Sequence, residues 1–211
     1  MKVGLFDSGI GGLTVLKTIM KKYPNNDYIY FGDTLNVPYG SKSIEELKVL
    51  AKNDVEFLLG KGAEMIIVAC GTVSSNCLDY LKSIYSIPIL SVVSPTIEYL
   101  NNSDYKNIGV IATNATINSH MFKNNIKNKN VIEIATPELV PIIENNRFDE
   151  LDGVLHKYLD GLDIDALVLG CTHYPLIKDQ IKSIINCDII DMGEYIKISE
   201  GNTRSIDVFF S

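Results

Sequence analysis

Four short apolar runs, arranged as two similar pairs, constrain this chain more than any other feature. The first half holds KVGLFDSG at residues 2–9 and MIIVACGT at 65–72, and the second holds KNIGVIAT at 106–113 and ALVLGCTH at 166–173. Each half opens with an apolar strand that runs into small or polar residues. A later strand in each half ends on a small residue, a cysteine and a threonine or its neighbour. The spacings nearly agree, since Gly4 and Gly109 are 105 positions apart and Cys70 and Cys171 are 101 apart. Longer amphipathic stretches alternate with the apolar runs, which is the α/β pattern. The expected fold is therefore α/β, with two pseudo-symmetric parallel-sheet lobes and the active site in the cleft between them. The expected lobes are residues 1–94 plus 190–211, and residues 95–189.

Strands are expected at 2–6, 27–31, 65–69, 87–93, 107–111, 131–134, 166–170 and 187–190, with an edge strand at 206–210. Helices are expected at 12–22, 43–61, 75–84, 95–101, 116–125, 148–159 and 175–186. The segment from Ser43 shows the helical pattern well: Ile44, Leu47, Leu50, Ala51, Val55, Leu58 and Leu59 form one stripe, with charged residues opposite.

In open α/β sheets, ligands bind beyond the carboxyl ends of the strands, so Cys70 and Cys171 fall on the functional edge of their lobes. If the lobes meet there, the two thiols face a shared cleft. Two opposed thiols suit inversion of an amino-acid α-carbon. One takes the α-proton as thiolate while the other, still protonated, supplies a proton to the opposite face. A lone cysteine is more often a small buried hydrophobe, and Cys77 and Cys187 are read that way. Asp7, after the first strand, stands where a carboxylate could serve one thiol or cap the following helix. His173 stands two residues past Cys171, where an imidazole could serve the second thiol or bond within a turn. The Gly9-Ile10-Gly11-Gly12 run lets backbone approach a small anion. It is not a GxGxxG fingerprint, and no P-loop occurs, which disfavours nucleotide binding.

Bulk properties exclude several classes. A net charge of −7 argues against a basic nucleic-acid surface, so a small-molecule or protein partner fits better. No apolar stretch reaches the roughly 20 residues of a membrane helix. A charged residue at Asp7 interrupts the first apolar run before a signal-peptide core forms. The expectation is a cytoplasmic protein that is not bound to membrane, with reduced cysteines. The absence of CxxC and the irregular histidine spacing argue against a metal site.

Four segments, FDSGIGGLTVL (6–16), GDTLNVPYGSKS (32–43), VACGTVSS (68–75) and LGCTHYPL (169–176), are similar to the signature segments of the glutamate racemases, in the aspartate/glutamate racemase superfamily. The resemblance extends from residue 3 to about 193. It implies a cofactor-independent, two-base racemase of two α/β lobes that interconverts L- and D-glutamate for peptidoglycan. By motif position, Cys70 and Cys171 match the bases, and Asp7 and His173 match their assisting groups. Asp7, Ser8, Pro38, Tyr39, Gly40, Gly71, Thr72, Thr172 and His173 match positions around the substrate, and Thr116 and Glu144 resemble further cleft positions. Racemases of this family are often dimers, so a homodimer is the expected assembly, and Val208-Phe209-Phe210 is apolar surface a partner could cover.

The chain departs from the family pattern in three places. Cys70-Gly71-Thr72 stands where the family usually reads Cys-Asn-Thr, Thr136 stands where a cysteine is frequent, and the part after Asp191 is short. Loss of the asparagine amide motivates two alternatives: a racemase of another acidic or polar amino acid such as aspartate, and a catalytically weak amino-acid-binding paralogue.

Overall fold

The computed structural model describes residues 1–211. The first half runs β1 (Lys2–Asp7), α1 (Leu13–Lys22), β2 (Asp27–Gly32), α2 (Ile44–Gly60), β3 (Met65–Val68), α3 (Gly71–Asn76), α4 (Leu78–Ile84), β4 (Ile89–Ser91) and α5 (Val93–Asn101). The second half runs β5 (Asn107–Ala112), α6 (Asn114–Asn118), α7 (Met121–Asn125), β6 (Asn130–Ala135), α8 (Leu139–Glu144), α9 (Leu151–Leu159), β7 (Ala166–Leu169), α10 (Lys178–Ile184) and β8 (Asp188–Asp191). A last strand, β9 (Ser205–Phe210), returns to the first sheet.

The sheet orders are β4-β3-β1-β2-β9 and β6-β5-β7-β8, and every pairing is parallel. Read in reverse, the second order is β8-β7-β5-β6, so β1, β2, β3 and β4 answer to β5, β6, β7 and β8. The repeat in the sequence is therefore a repeat in topology. The runs with fully buried central strands, MIIV and ALVL, lie inside their sheets, as parallel strands covered on both faces must.

Apolar residues form three clusters. One joins the facing sides of both lobes, from Val3, Leu5 and Ile67 to Ile108, Val110 and Val168. A second packs α2, α3 and α4 on the other face of the first sheet, and a third packs α8, α9 and α10 on the second. Ser43 opens α2 with a capping box, its hydroxyl accepting from the Glu46 N–H while the Glu46 carboxylate accepts from the Ser43 N–H.

The local differences from expectation have physical causes. The fourth strand is only Ile89–Ser91. The helix expected from Ser75 begins at Gly71, immediately after Cys70, and breaks at Cys77. The helix expected over 116–125 is split where His120 adopts a left-handed backbone with φ 51°. Helix α8 was not expected, because Pro141 interrupts its pattern; proline is tolerated in a first turn, where no intrahelical N–H bond is lost. No helix is long and apolar enough to cross a membrane.

Candidate active site

One cavity collects the carboxyl ends of six strands, three from each lobe. The end of β1 supplies Ser8, and the loop after β2 supplies Val37, Pro38, Tyr39, Gly40 and Ser41. Cys70, Gly71 and Thr72 come from the β3–α3 junction, and Thr113 and Asn114 from the β5–α6 junction. The β6–α8 connection and α8 contribute Thr136, Pro137, Val140, Pro141 and Glu144, and the turn after β7 contributes Gly170, Cys171, Thr172 and His173. Both cysteines thus line one wall each, on opposite lobes.

Of the residues expected from sequence, Ser8, Pro38, Tyr39, Gly40, Cys70, Gly71, Thr72, Glu144, Cys171, Thr172 and His173 stand in this cavity. Asp7 and Thr116 do not line it. Asp7 is wholly buried behind the wall, where Oδ2 accepts from the Gly12 N–H at 2.8 Å and both oxygens accept from the Thr172 hydroxyl of the other lobe at 3.3 and 3.4 Å. Thr116 is also fully buried, and its N–H and hydroxyl meet Thr113 Oγ1 at 3.3 and 3.1 Å.

Thr113 and Thr136 were missed. Thr113 follows β5 where Ser8 follows β1, at the same 105-residue offset as the paired glycines, so the repeat carried the signal. Thr136 follows β6 as the loop beyond Gly32 follows β2. Its hydroxyl meets the Tyr174 hydroxyl at 2.5 Å and donates to the Ala112 carbonyl at 3.1 Å.

The two sulfurs have unlike surroundings. Cys70 has one polar side-chain neighbour, the Ser8 hydroxyl at 3.8 Å. Burial, then the negative charge of Asp7, pushes its thiol well above the usual range, with a backbone hydrogen bond from Val73 opposing. Cys171 Sγ lies 3.6 Å from His173 Nδ1, and His173 Nε2 lies 2.9 Å from Glu144 Oε1. Burial would lower the affinity of His173 for its second proton. The hydrogen bonds to Cys171 and Glu144 and the charge of Asp7 outweigh it, and the imidazolium is pushed up to about 11. Burial raises the Asp7 carboxyl, while the His173 charge and the N–H groups of Gly12, Ser8 and Gly9 pull it down. A neutral thiol therefore faces, from the opposite lobe, a sulfur paired with a cation. Charge on one sulfur opposes charge on the other. That asymmetry is what a donor and an acceptor of protons need.

Hydrogen bonds also tie the lobes at the cleft. Thr72 Oγ1 and Thr113 Oγ1 are 2.9 Å apart, the Asn76 amide donates to the Ala115 carbonyl at 3.1 Å, and the Thr14 hydroxyl donates to the Thr172 carbonyl at 3.0 Å.

The profile of the Asp/Glu/hydantoin racemase family matches residues 15–195. The chain belongs to this family. Among curated relatives, the glutamate racemase of Aquifex aeolicus is 41% identical over 100% of this chain and 89% of its own length. Among solved structures, a glutamate racemase isoform of Bacillus anthracis superposes with a TM-score of 0.91 at 30% identity, covering 99% of this chain and 87% of that one. The Francisella tularensis glutamate racemase, solved in complex with D-glutamate, gives 0.85 at 37% identity over 92% of this chain and 77% of its own. An aspartate racemase of Picrophilus torridus shares the fold at 21% identity, with a TM-score of 0.69. As a member of the Asp/Glu/hydantoin racemase family, the protein is an isomerase, and its two-lobed architecture is that of its racemase relatives.

Proposed function

We propose that this racemase interconverts L- and D-glutamate by a two-base mechanism without a cofactor, and so supplies D-glutamate for peptidoglycan synthesis in the cytoplasm. The observation that carries the reading is the pair Cys70 and Cys171, opposed across one cavity, one with a raised thiol and the other beside a charged imidazole. In the direction from L to D, the Cys171 thiolate takes the α-proton and the Cys70 thiol delivers its proton to the other face. The reverse direction starts with Cys70 as thiolate and Cys171 as thiol. His173 stabilises charge on Cys171, and Asp7 acts behind the wall on both Cys70 and His173.

Ser8, the Pro38-Tyr39-Gly40 segment, Gly71, Thr72, Thr172 and His173 surround the substrate in this reading, with Thr116 and Glu144 supporting the second-lobe side. The lobes are assigned to residues 1–94 plus 190–211 and residues 95–189, and a homodimer is the proposed assembly.

Glutamate is favoured over other amino acids by the relatives at about 40% identity that carry its name. Gly71 in the cavity wall keeps a different acidic substrate as the second reading. Incubation of each glutamate enantiomer in deuterated water tests the proposal. Deuterium enters the α-position of both if it holds; exchange with aspartate and none with glutamate gives the second reading, and no exchange with either removes racemase action on both.

A further inference from the structure

A line of buried polar side chains runs from α2, outside the cavity, to the loop that carries Tyr39. The Tyr39 hydroxyl lies 2.6 Å from Asp33 Oδ2 and 3.1 Å from Asp54 Oδ2. Tyr39, Asp33 and Asp54 are 1%, 3% and 2% exposed, so little of their hydrogen bonding is left to solvent. A phenol has a single hydrogen to donate, and an ionised carboxylate has none. Two ionised carboxylates on one hydroxyl would leave one buried charge without a donor, a costly arrangement.

The remaining partners decide which carboxyl is which. Asp33 accepts from the Asn36 amide at 2.9 Å on each oxygen and from the Ser211 hydroxyl at 2.8 Å, in addition to Tyr39. It is ringed by donors. Asp54 makes its one side-chain hydrogen bond with Tyr39. If Asp54 carries a proton, it donates to the Tyr39 oxygen, Tyr39 donates to Asp33, and every hydrogen has an acceptor.

We infer that Asp54 is a neutral hydrogen-bond donor that fixes Tyr39, and through it the 37–41 loop, against the substrate cavity. Asp54 is thus a positioning residue for substrate binding, a role that rests on the racemase reading above. The electrostatics agree with the hydrogen-bond count. Burial, then the charge of Asp33, pushes the Asp54 carboxyl up to about 8, with the Tyr39 hydrogen bond opposing and Asp7 at the end of β1 adding to the rise. Helix α2 packs on β1, β2, α3 and α4, and neither α3 nor α4 brings a group that shifts it. Cys70, at the end of β3, acts on Tyr39.

The test compares wild type, Asp54→Asn and Asp54→Ala in glutamate racemisation from pH 6 to 9.5, with infrared difference spectra of the protonated carboxyl C=O stretch in the same proteins. Asparagine keeps a donor, so Asp54→Asn holds the wild-type KM at pH 7 and lacks the rise in KM that wild type shows above about pH 8. Alanine removes the donor and raises KM about 3–10-fold with kcat little changed. Wild type shows a protonated-carboxyl band at pH 7 that Asp54→Asn lacks. If Asp54→Asn raises KM at pH 7 as much as Asp54→Ala does, or if the band is the same in both spectra, the inference is overturned. Should the alanine variant fail to fold, the asparagine variant and the band still decide. A wild type that bears the band but turns over no glutamate refutes the proposed function and leaves the protonation of Asp54 standing.

Discussion

Gly71 of the first lobe stands directly against the Gly170 carbonyl oxygen of the second. A Cβ built on Gly71 would meet that oxygen closer than real Cβ atoms come, with the Gly170 carbonyl carbon next at 3.4 Å and Met192 Cε at 3.5 Å. Gly71 follows Cys70 and Gly170 precedes Cys171, so the two cysteine-bearing turns meet backbone to backbone at this contact. A carbonyl in the chain cannot swing aside as a side chain could.

Gly71→Ala therefore forces the lobes apart or strains the turn at Cys70. The expected cost is about 1–3 kcal/mol of overpacking, read as a drop in Tm of about 2–4 °C per kcal/mol, with a lower kcat/KM. Gly71→Asn should go the same way, although it restores the residue usual in the family. An alanine variant with wild-type Tm and wild-type kcat/KM would show that the contact does not constrain the cleft.

Replacing either cysteine should slow racemisation sharply if the two-base proposal holds. Cys70→Ser and Cys171→Ser are each expected to lose about 10²–10⁴-fold in rate, the usual worth of a positioned proton-transfer group. Circular dichroism of glutamate solutions gives the rate in both directions. Ready turnover in both single variants would refute the two-base mechanism.

His173 owes its high proton affinity to Cys171 and Glu144 acting against burial. Glu144→Gln removes one of those partners, so the imidazolium should titrate below its present value of about 11. The alkaline limb of L-to-D activity should move to lower pH with it, and the His173 ring protons report the shift directly by NMR. Because the folded-state value lies above the ordinary 6.5, the stabilisation is full below about pH 6.5 and is lost as pH rises toward 11. Glu144→Gln should accordingly lower Tm at pH 6 and matter less at pH 10.5.

Asp54 has a linkage of the same sign over a lower pH window. Its folded-state value of about 8 stands above the ordinary 3.8, so between these values the native state holds a proton that the unfolded chain has released. Stability should fall with rising pH across that window and then level off. Asp54→Asn has no such proton to lose. Its Tm should decline less than that of wild type between pH 4 and 8 in calorimetric scans, and equal slopes would contradict the raised carboxyl.

Much of the fold was legible because parallel strands buried on both faces read as unbroken apolar runs, and all nine expected strands are present. Helix ends were less legible. Gly71 looks like a poor helix residue, yet α3 starts there, because the turn that places Cys70 needs the missing side chain more than the helix needs propensity. Of the site, the motif segments pointed to the cavity wall, whereas Thr113 and Thr136 were passed over, although Thr113 holds the register of Ser8 in the repeat. Asp7 and Thr116 are buried behind that wall.

By itself the sequence determined two α/β lobes and a cysteine at a matched strand end in each, because hydrophobic periodicity and internal repetition are local signals. Only the tertiary structure decided how the lobes meet. The Gly71–Gly170 contact, the Thr172–Asp7 bond and the Asp54–Tyr39–Asp33 line join residues separated by 15 or more positions in every case but one, the Asp33–Tyr39 step with |i−j| of 6. Those distances and the burial around them come from docking one surface on another, and no local pattern along the chain encodes them.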